Sequence, residues 1–535
     1  MLFSITIVLG CLTAAALGAG LTGLFVYRKL GHKPAGERWA VAIFPLSLVS
    51  LLAAYGAKIW DVIFDIHSWI RFQKTFVVAL GYPLYYGPDS GPALASIYGP
   101  VSVFAFLPAT LTHDPFWALR IACFLAAAFC LFPALWIFLR QAKGHPQANL
   151  WGWIAFACFA FWSLFLTSLR YATFTVHADA PTLGLSALAC VCLLLRPHPD
   201  HKGWLLASAL AAVLSVWSKQ IAVPIVLALP LYVYLADGWQ TAKRFTFGLF
   251  LTGLVISGFF LLTFDPQAMF FNMFTIPSRH DYRDGGTLLV FLKSAIRLLR
   301  ETVIMLLIGL PAFWPLLRTR TKFQSRADWL KMNPWFLFYF VGFWMAPLAI
   351  LSNVKVGGSI NTLSFGNYFF LLGTILAFLN WKDLAPGEGL AFFRLKIKPH
   401  GALLLMLVSL MLPGLGSAYY RIIQLPKHYD FAAAAYDYIR KHPGETYFAR
   451  LDLLHLLGEG QLYHTVDGLM DRHWADMPIQ GERLNAFLPP HGKHLLFIEE
   501  NHHWLFPQDE YPVGYHHTEE FPEFLAYPRA RTVNP

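Results

Sequence analysis

Charge is what this sequence has least of. Only 13% of its 535 residues are Asp, Glu, Lys or Arg, about half the share a soluble domain carries. A water-facing surface cannot be covered with so little, and the 56% hydrophobic content and mean hydropathy of +0.49 exclude an ordinary soluble fold. Disorder is excluded by 47 Phe, 22 Tyr and 18 Trp, since disordered chains are poor in aromatics. No long basic run accompanies the net charge of +10, which excludes nucleic acid as the natural partner. Cysteine is scarce as well: Cys11, Cys123, Cys130, Cys158, Cys190 and Cys192 all lie in apolar stretches, where thiols act as small apolar fillers rather than as a disulfide framework. There is no repeat, heptad seam or low-complexity tract. No metal signature is present: His177-Ala-Asp179 is a common chance pattern, His502-His503 and His516-His517 read as surface residues, and a divalent metal or other cofactor has no support. No N-x-Ser/Thr sequon and no dilysine tail occur, which is compatible with a bacterial origin.

What remains is a row of long apolar stretches. Candidate spans run over 3–27, 39–57, 118–139, 150–168, 181–195, 203–217, 221–236, 245–264, 302–317, 335–351, 365–381 and 401–419. The first is too long for a signal-peptide core and ends in Arg28-Lys29, so it reads as a retained helix. The stretch 101–112 carries Pro108 and is short; it reads as a helix dipping into the membrane surface. With these twelve spans, one set of loops is about threefold richer in Lys and Arg per residue than the other, which makes it cytoplasmic. The N-terminus, the first loop at 58–117 and everything beyond 420 then lie outside the cytoplasm. From about 426 to 535 charge and proline return, with 11 of the 20 His. The stretch 430–441 is an amphipathic helix, while 445–449 and 494–499 read as strands. The expected architecture is an α-helical polytopic membrane protein of about twelve transmembrane helices. Residues 1–38 form an extra N-terminal helix and loop, 39–425 the transmembrane domain, and 426–535 a small α/β extracytoplasmic domain.

Ionisable groups are costly in lipid, so clusters of them at one rim mark where chemistry can sit. The outer rim holds five. The first is Lys58, Asp61, Asp65, His67 and Arg71, followed by Gly81-Tyr-Pro-Leu-Tyr85-Tyr86 and Ile97-Tyr98-Gly99-Pro100. A carboxylate among aromatics suits a general base; the plain alternative is an amphipathic surface helix over 58–75 with solvated charges. The second is Arg170-Tyr171 with His177-Ala-Asp179-Ala-Pro181, where the plain role of Asp179 is capping. The third is Trp217-Ser-Lys219-Gln220, whose lysine either snorkels or binds a phosphate. The fourth holds Arg279 and Arg283, and the fifth Asn353, Lys355, Gly357, Gly358 and Asn361, without P-loop or dinucleotide spacing.

The order of these features resembles polytopic glycosyltransferases of the GT-C class, in particular the branch of protein O-mannosyltransferases and the aminoarabinose transferase of lipid A. The likeness covers roughly 39–381 in layout. It implies transfer of a sugar from a polyprenyl-phosphate carrier to an acceptor hydroxyl or amine on the extracytoplasmic face, with inversion, in the bacterial inner membrane. Carried over by residue, it implies Asp65 as general base. Asp61 stays open as the alternative, because Ile66 follows Asp65 where the family often has a second acid. The likeness matches Asp179 to the family's second outer acidic residue and Lys219 to its lysine after two further spans. A leaving phosphate needs positive charge close by, which Lys219, Arg170, Arg279 or Arg283 could supply, and His67, Tyr85, Tyr98, His177, Asp179, Gln220 and Asn361 are the residues expected around the substrates. The implied partners are the lipid-linked donor, membrane lipids and an acceptor the residues do not name. The rival class is a transporter or flippase of a lipid-linked solute. Such sites sit at midplane in interrupted helices, often with inverted repeats, whereas the polar residues here crowd one face.

Overall fold

The structure, a computed structural model, describes residues 2–31, 35–143, 148–196, 198, 201–318, 324–384, 390–392, 395–397, 399–424, 431–491, 494–497, 505, 516–517 and 525–528. Every expected span falls on helix. Among the described residues, eight helices are long and apolar enough to cross a membrane, or nine if a bent pair counts as one. Two expectations need correction, and two of the expected spans are short. The 150–168 span ends at Phe165, and the chain turns through 99° into Thr167–Phe174. Leu166 is extended at the break (φ −72°, ψ 118°), and Ser168 gives its hydroxyl to Glu301 across the bundle. The helices Asp179–Leu195 and Lys202–Ser218 have 17 residues each, a rise of about 26 Å, short of the hydrocarbon core. The 302–317 span is the C-terminal half of a 31-residue helix, Leu288–Arg318, so much of the expected 265–301 loop is helical.

Close helix approach relies on small residues, as is usual in lipid. A Cβ on Gly184 would lie 2.4 Å from Phe129 O, so the Asp179–Leu195 helix meets Pro115–Gln141 backbone to backbone. At the opposite end Asp237 accepts from Arg196 and lies 3.6 Å from Lys331, closing the rim with charge.

The first loop forms the roof of the bundle. Helix Ala35–Trp60 tightens into a 3-10 turn at Asp61–Phe64, Asp65 is extended, and the helix Ile66–Ala79 follows. It is no solvated surface helix: Ser68, Trp69, Ile70, Phe72, Gln73, Lys74 and Phe76 are among its buried residues, and Trp69 Nε1 donates to Ile63 O (2.8 Å). The 101–112 stretch forms only Val101–Phe104 and Leu107–Leu111, both too short to cross. Asp114 then accepts from Phe116 N and Trp117 N and, with Pro115 in the first turn, starts the next span.

The C-terminal part folds as helices around a four-stranded mixed sheet. Thr446–Phe448 pairs in parallel with His494–Phe497, which pairs antiparallel with Leu525–Pro528, itself antiparallel to His516–His517. His502 and His503 lie outside the described residues. This part is seated on the first loop: Thr465 N donates to Ala93 O (2.9 Å), Ala93 N donates to His464 Nδ1 (2.8 Å), and Arg71 pairs with Asp467 (3.0 Å). Phe448, Leu453 and Leu454 belong to the same apolar core as the membrane helices.

Inside it, burial pushes the Asp452 carboxyl up to about 8, and Tyr447 donates to its Oδ1 (3.1 Å). The folded value lies above the ordinary one. The proton is therefore held at neutral pH, and the stability this gives is lost as pH rises from about 4 through 8. Asp452→Asn is expected to flatten the decline of Tm across that window; an unchanged slope would place the pH sensitivity elsewhere.

Candidate active site

A cavity of about 290 Å³ opens where the first loop meets the bent helix pair. Lys58, Asp61, Phe64 and Asp65 line it from one side, and Thr167, Arg170, Tyr171 and Thr175 from the other. Asp65 sits at the extended residue between the 3-10 turn and the Ile66–Ala79 helix, and Ser68 Oγ donates to its Oδ2 (2.5 Å). The same hydroxyl accepts from Val176 N (3.0 Å), so one serine holds the carboxylate and joins the two walls. Asp61 is engaged differently: Arg421, in the last turn of the Pro399–Gln424 helix, donates to its Oδ2 (2.5 Å). Asp61 is thus paired with a guanidinium, whereas the Asp65 carboxylate takes a neutral hydroxyl. Lys58 lies within electrostatic reach of Arg170, Arg421, Asp61 and Asp65. The rim thus carries three cations against two carboxylates, a surplus suited to an anionic ligand.

Behind this wall lies a second, fully buried cluster. Asp179 is 0% exposed and accepts from Lys219 Nζ (2.6 Å) and Asn361 Nδ2 (2.5 Å), with His177 Nδ1 at 2.8 Å. Capping is therefore not what its side chain does; it binds groups from three separate segments. Burial lowers the His177 imidazole to about 4, outweighing the opposite pull of Asp179, so the ring is neutral. For Lys219, burial works against the charged form, but Asp179 prevails and the ammonium is held above its ordinary value. Tyr98 covers the cluster, its ring 4.9 Å from Lys219 Nζ and 5.1 Å from the His177 ring. Tyr171 connects the two regions, lining the cavity while packing 6.1 Å from His177.

The expected site residues thus separate into groups. Asp61, Asp65 and Arg170 line the cavity, and His67 is an exposed residue whose ring packs 6.1 Å from Tyr171. Tyr98, His177, Asp179, Lys219 and Asn361 come together in the buried cluster. Two others brace the backbone: Tyr85 OH donates to Tyr98 O (2.8 Å), and Gln220 Nε2 to Ile97 O and Met273 O (3.2 Å each). Arg279 and Arg283 are exposed and do not line the cavity; Arg283 donates to Gly358 O. Sequence reasoning missed Arg421, whose signal was a lone cation at the C-terminal end of the last span. It also missed Glu301, 7% exposed, whose Oε2 accepts from Ser168 Oγ and Asn367 Nδ2 (2.6 Å each) and fixes the bend before Arg170. Among the described residues, no group of three or more His, Cys, Asp or Glu is arranged to hold a metal ion.

Fold and spans define an integral membrane protein of GT-C architecture. The particular likeness is to ArnT from Cupriavidus metallidurans. In the structure bound to undecaprenyl phosphate the match covers 91% of this chain and 99% of that one, at a TM-score of 0.53 and 12% identity. The apo structure of ArnT from the same organism matches over 76% of this chain and 84% of that one, at 0.47 and 14%. The sequence matches no protein-family model and no curated protein.

Breaking a buried ion pair leaves an uncompensated charge, so Lys219→Met is expected to cost about 3–5 kcal/mol, read as a fall in Tm in detergent. Adding Asp179→Asn should recover most of it. A single variant as stable as the wild type would refute the pairing.

Proposed function

We propose that this protein is a membrane glycosyltransferase. It moves a sugar from a polyprenyl-phosphate carrier to an acceptor on the extracytoplasmic face of the bacterial inner membrane, with inversion and with Asp65 as general base. The observation that carries the reading is the cavity in which Asp65 stands beside Lys58 and Arg170. The ArnT-like fold supports it, since one solved ArnT is bound to undecaprenyl phosphate. The greater density of Lys and Arg in the alternate loops supports the outward placing of the cavity and of residues 426–535.

In the proposed step the acceptor oxygen or nitrogen attacks the anomeric carbon from the face opposite the phosphate. Asp65 takes the acceptor's proton, the bond from anomeric carbon to phosphate oxygen breaks, and the polyprenyl phosphate departs with the electron pair. Ser68 holds one carboxylate oxygen and so fixes the base's direction. Lys58 and Arg170 offset the charge that builds on the leaving phosphate, where exclusion of water makes such stabilisation large. Arg421 keeps Asp61 neutralised, so that a second free carboxylate does not repel the donor. The carrier's tail remains in the bilayer, which the exposed apolar helix faces contact.

General-base catalysis contributes about 10² to 10⁴-fold. Asp65→Asn is therefore expected to lower kcat by that factor with Tm unchanged, and Ser68→Ala by less. The assay uses purified protein in liposomes with radiolabelled polyprenyl-phosphate sugars. Label leaving the carrier supports the transferase; label that changes leaflet while still on its carrier would establish a flippase instead. Wild-type-like transfer by Asp65→Asn would remove Asp65 from the role.

A further inference from the structure

The Leu288–Arg318 helix carries a charge pattern that neither the cavity nor the buried cluster uses. Lys293, Arg297 and Arg300 are all exposed. Their spacing sets them on one face, within an arc of about 60°. Among the described residues none of the three has an acidic partner, and the adjacent acid, Glu301, is turned inward to Ser168 and Asn367. Further along the same face the exposed residues become apolar, Ile304 at 43% and Leu307 at 60%, with Leu310 at 52% to one side of it. The face thus changes from cationic to apolar within about one turn, as an outward helix face does where it passes from headgroups into hydrocarbon. The rise from Val303 to the helix end, about 22 Å, is accordingly the part inside the core. Beside the cations, Leu289, Leu292 and Ile296 are exposed as well, the pairing of basic and apolar groups found where helices meet a lipid interface.

This end of the helix is on the cavity's side of the membrane. Ser294 Oγ donates to Asn353 Oδ1 (2.8 Å), and the segment that follows brings Asn361 to Asp179. Cations on that side run against the charge bias of the loops, so they call for a local anion. We propose that this face binds the phosphate headgroups of anionic phospholipids in the leaflet on the cavity's side, with acyl chains lying over Ile304, Leu307 and Leu310. Arginine offers paired donors to a phosphate and lysine a point charge. A partner transmembrane helix is a poorer match, because it would cover the apolar row while leaving three cations without counter-charge.

The test uses the full chain, with K293Q/R297Q/R300Q as the variant; all three positions are exposed and outside the proposed catalytic machinery. Each protein is reconstituted in nanodiscs of mixed phosphatidylcholine and phosphatidylglycerol, re-extracted in mild detergent, and its retained lipids are counted by mass spectrometry. Wild type is expected to retain phosphatidylglycerol above its bulk ratio, with the excess shrinking in high salt. The variant is expected to lose about fivefold in that preference for each cation that contacts a headgroup. Equal retention of both lipids by wild type, or an unchanged preference in the variant, would overturn the proposal. So would a variant with unchanged lipid retention but a raised KM for a negatively charged acceptor, which would assign the row to acceptor capture.

Discussion

A carboxylate sealed from water must be matched by donors from its own chain, and Asp179 imposes that requirement on the half of this protein that holds the cavity. It is met from the turn before its own helix (His177), from the turn after the second helix onward (Lys219) and from a segment some 180 residues later (Asn361). Three connections that loops alone would leave free are thereby fixed to one point. Tyr98 closes over them and brings the first loop into the same constraint, because its carbonyl holds Tyr85 and its neighbour Gly99 donates to Ser218 O (3.2 Å). A Cβ on Gly99 would come within 1.8 Å of Trp217 O, so the loop passes that turn at a distance only glycine allows.

The cavity inherits its rigidity from this arrangement. Its one wall descends from the Asp61–Asp65 segment and its other from the bent Thr167–Phe174 helix; Ser68 joins them, Glu301 holds the bend from behind, and Tyr171 rests on the buried cluster. The C-terminal part presses on the roof through Arg71 and Asp467 and through the backbone at Ala93. Burial there raises Asp471 to about 7 and lowers Lys74 to about 7, so the buried ionic contact between the first loop and the C-terminal part rests on Arg71 with Asp467, while Arg483 and the exposed Asp89 (3.5 Å) pair at the surface. A site assembled this way is positioned by charge and hydrogen bonds at its back, and the polar groups at its front are left to meet ligands.

Much of this was legible in the sequence. The spans followed from apolar runs, because lipid leaves helix as the one economical way to satisfy a backbone. The order of Asp65, Tyr98, Asp179 and Lys219 pointed to the GT-C architecture. Less visible was which of these residues meet one another. Asp179 and Lys219 looked like separate candidates for chemistry, yet they neutralise each other, and a one-dimensional pattern does not reveal a pairing across 40 positions. Arg421 and Glu301 escaped for the same reason: each looks like an isolated charge at a helix end until its partner, Asp61 or Ser168, is brought beside it. The bend at Leu166 had no proline or glycine to announce it; it depends on tertiary contacts made by Ser168.

The pairing of Asp61 with Arg421 also bears on how the protein is made. The two residues are 360 positions apart, with Asp61 following the second helix and Arg421 ending the last long one. During synthesis the cavity's acidic side enters the membrane early, while the cation that balances Asp61 arrives only after every other long helix has been inserted. Until then the half-built rim holds two cations, Lys58 and Arg170, against the two carboxylates, and so lacks the positive surplus it has once Arg421 is in place. The order of the chain therefore withholds the rim's positive surplus until the bundle is complete.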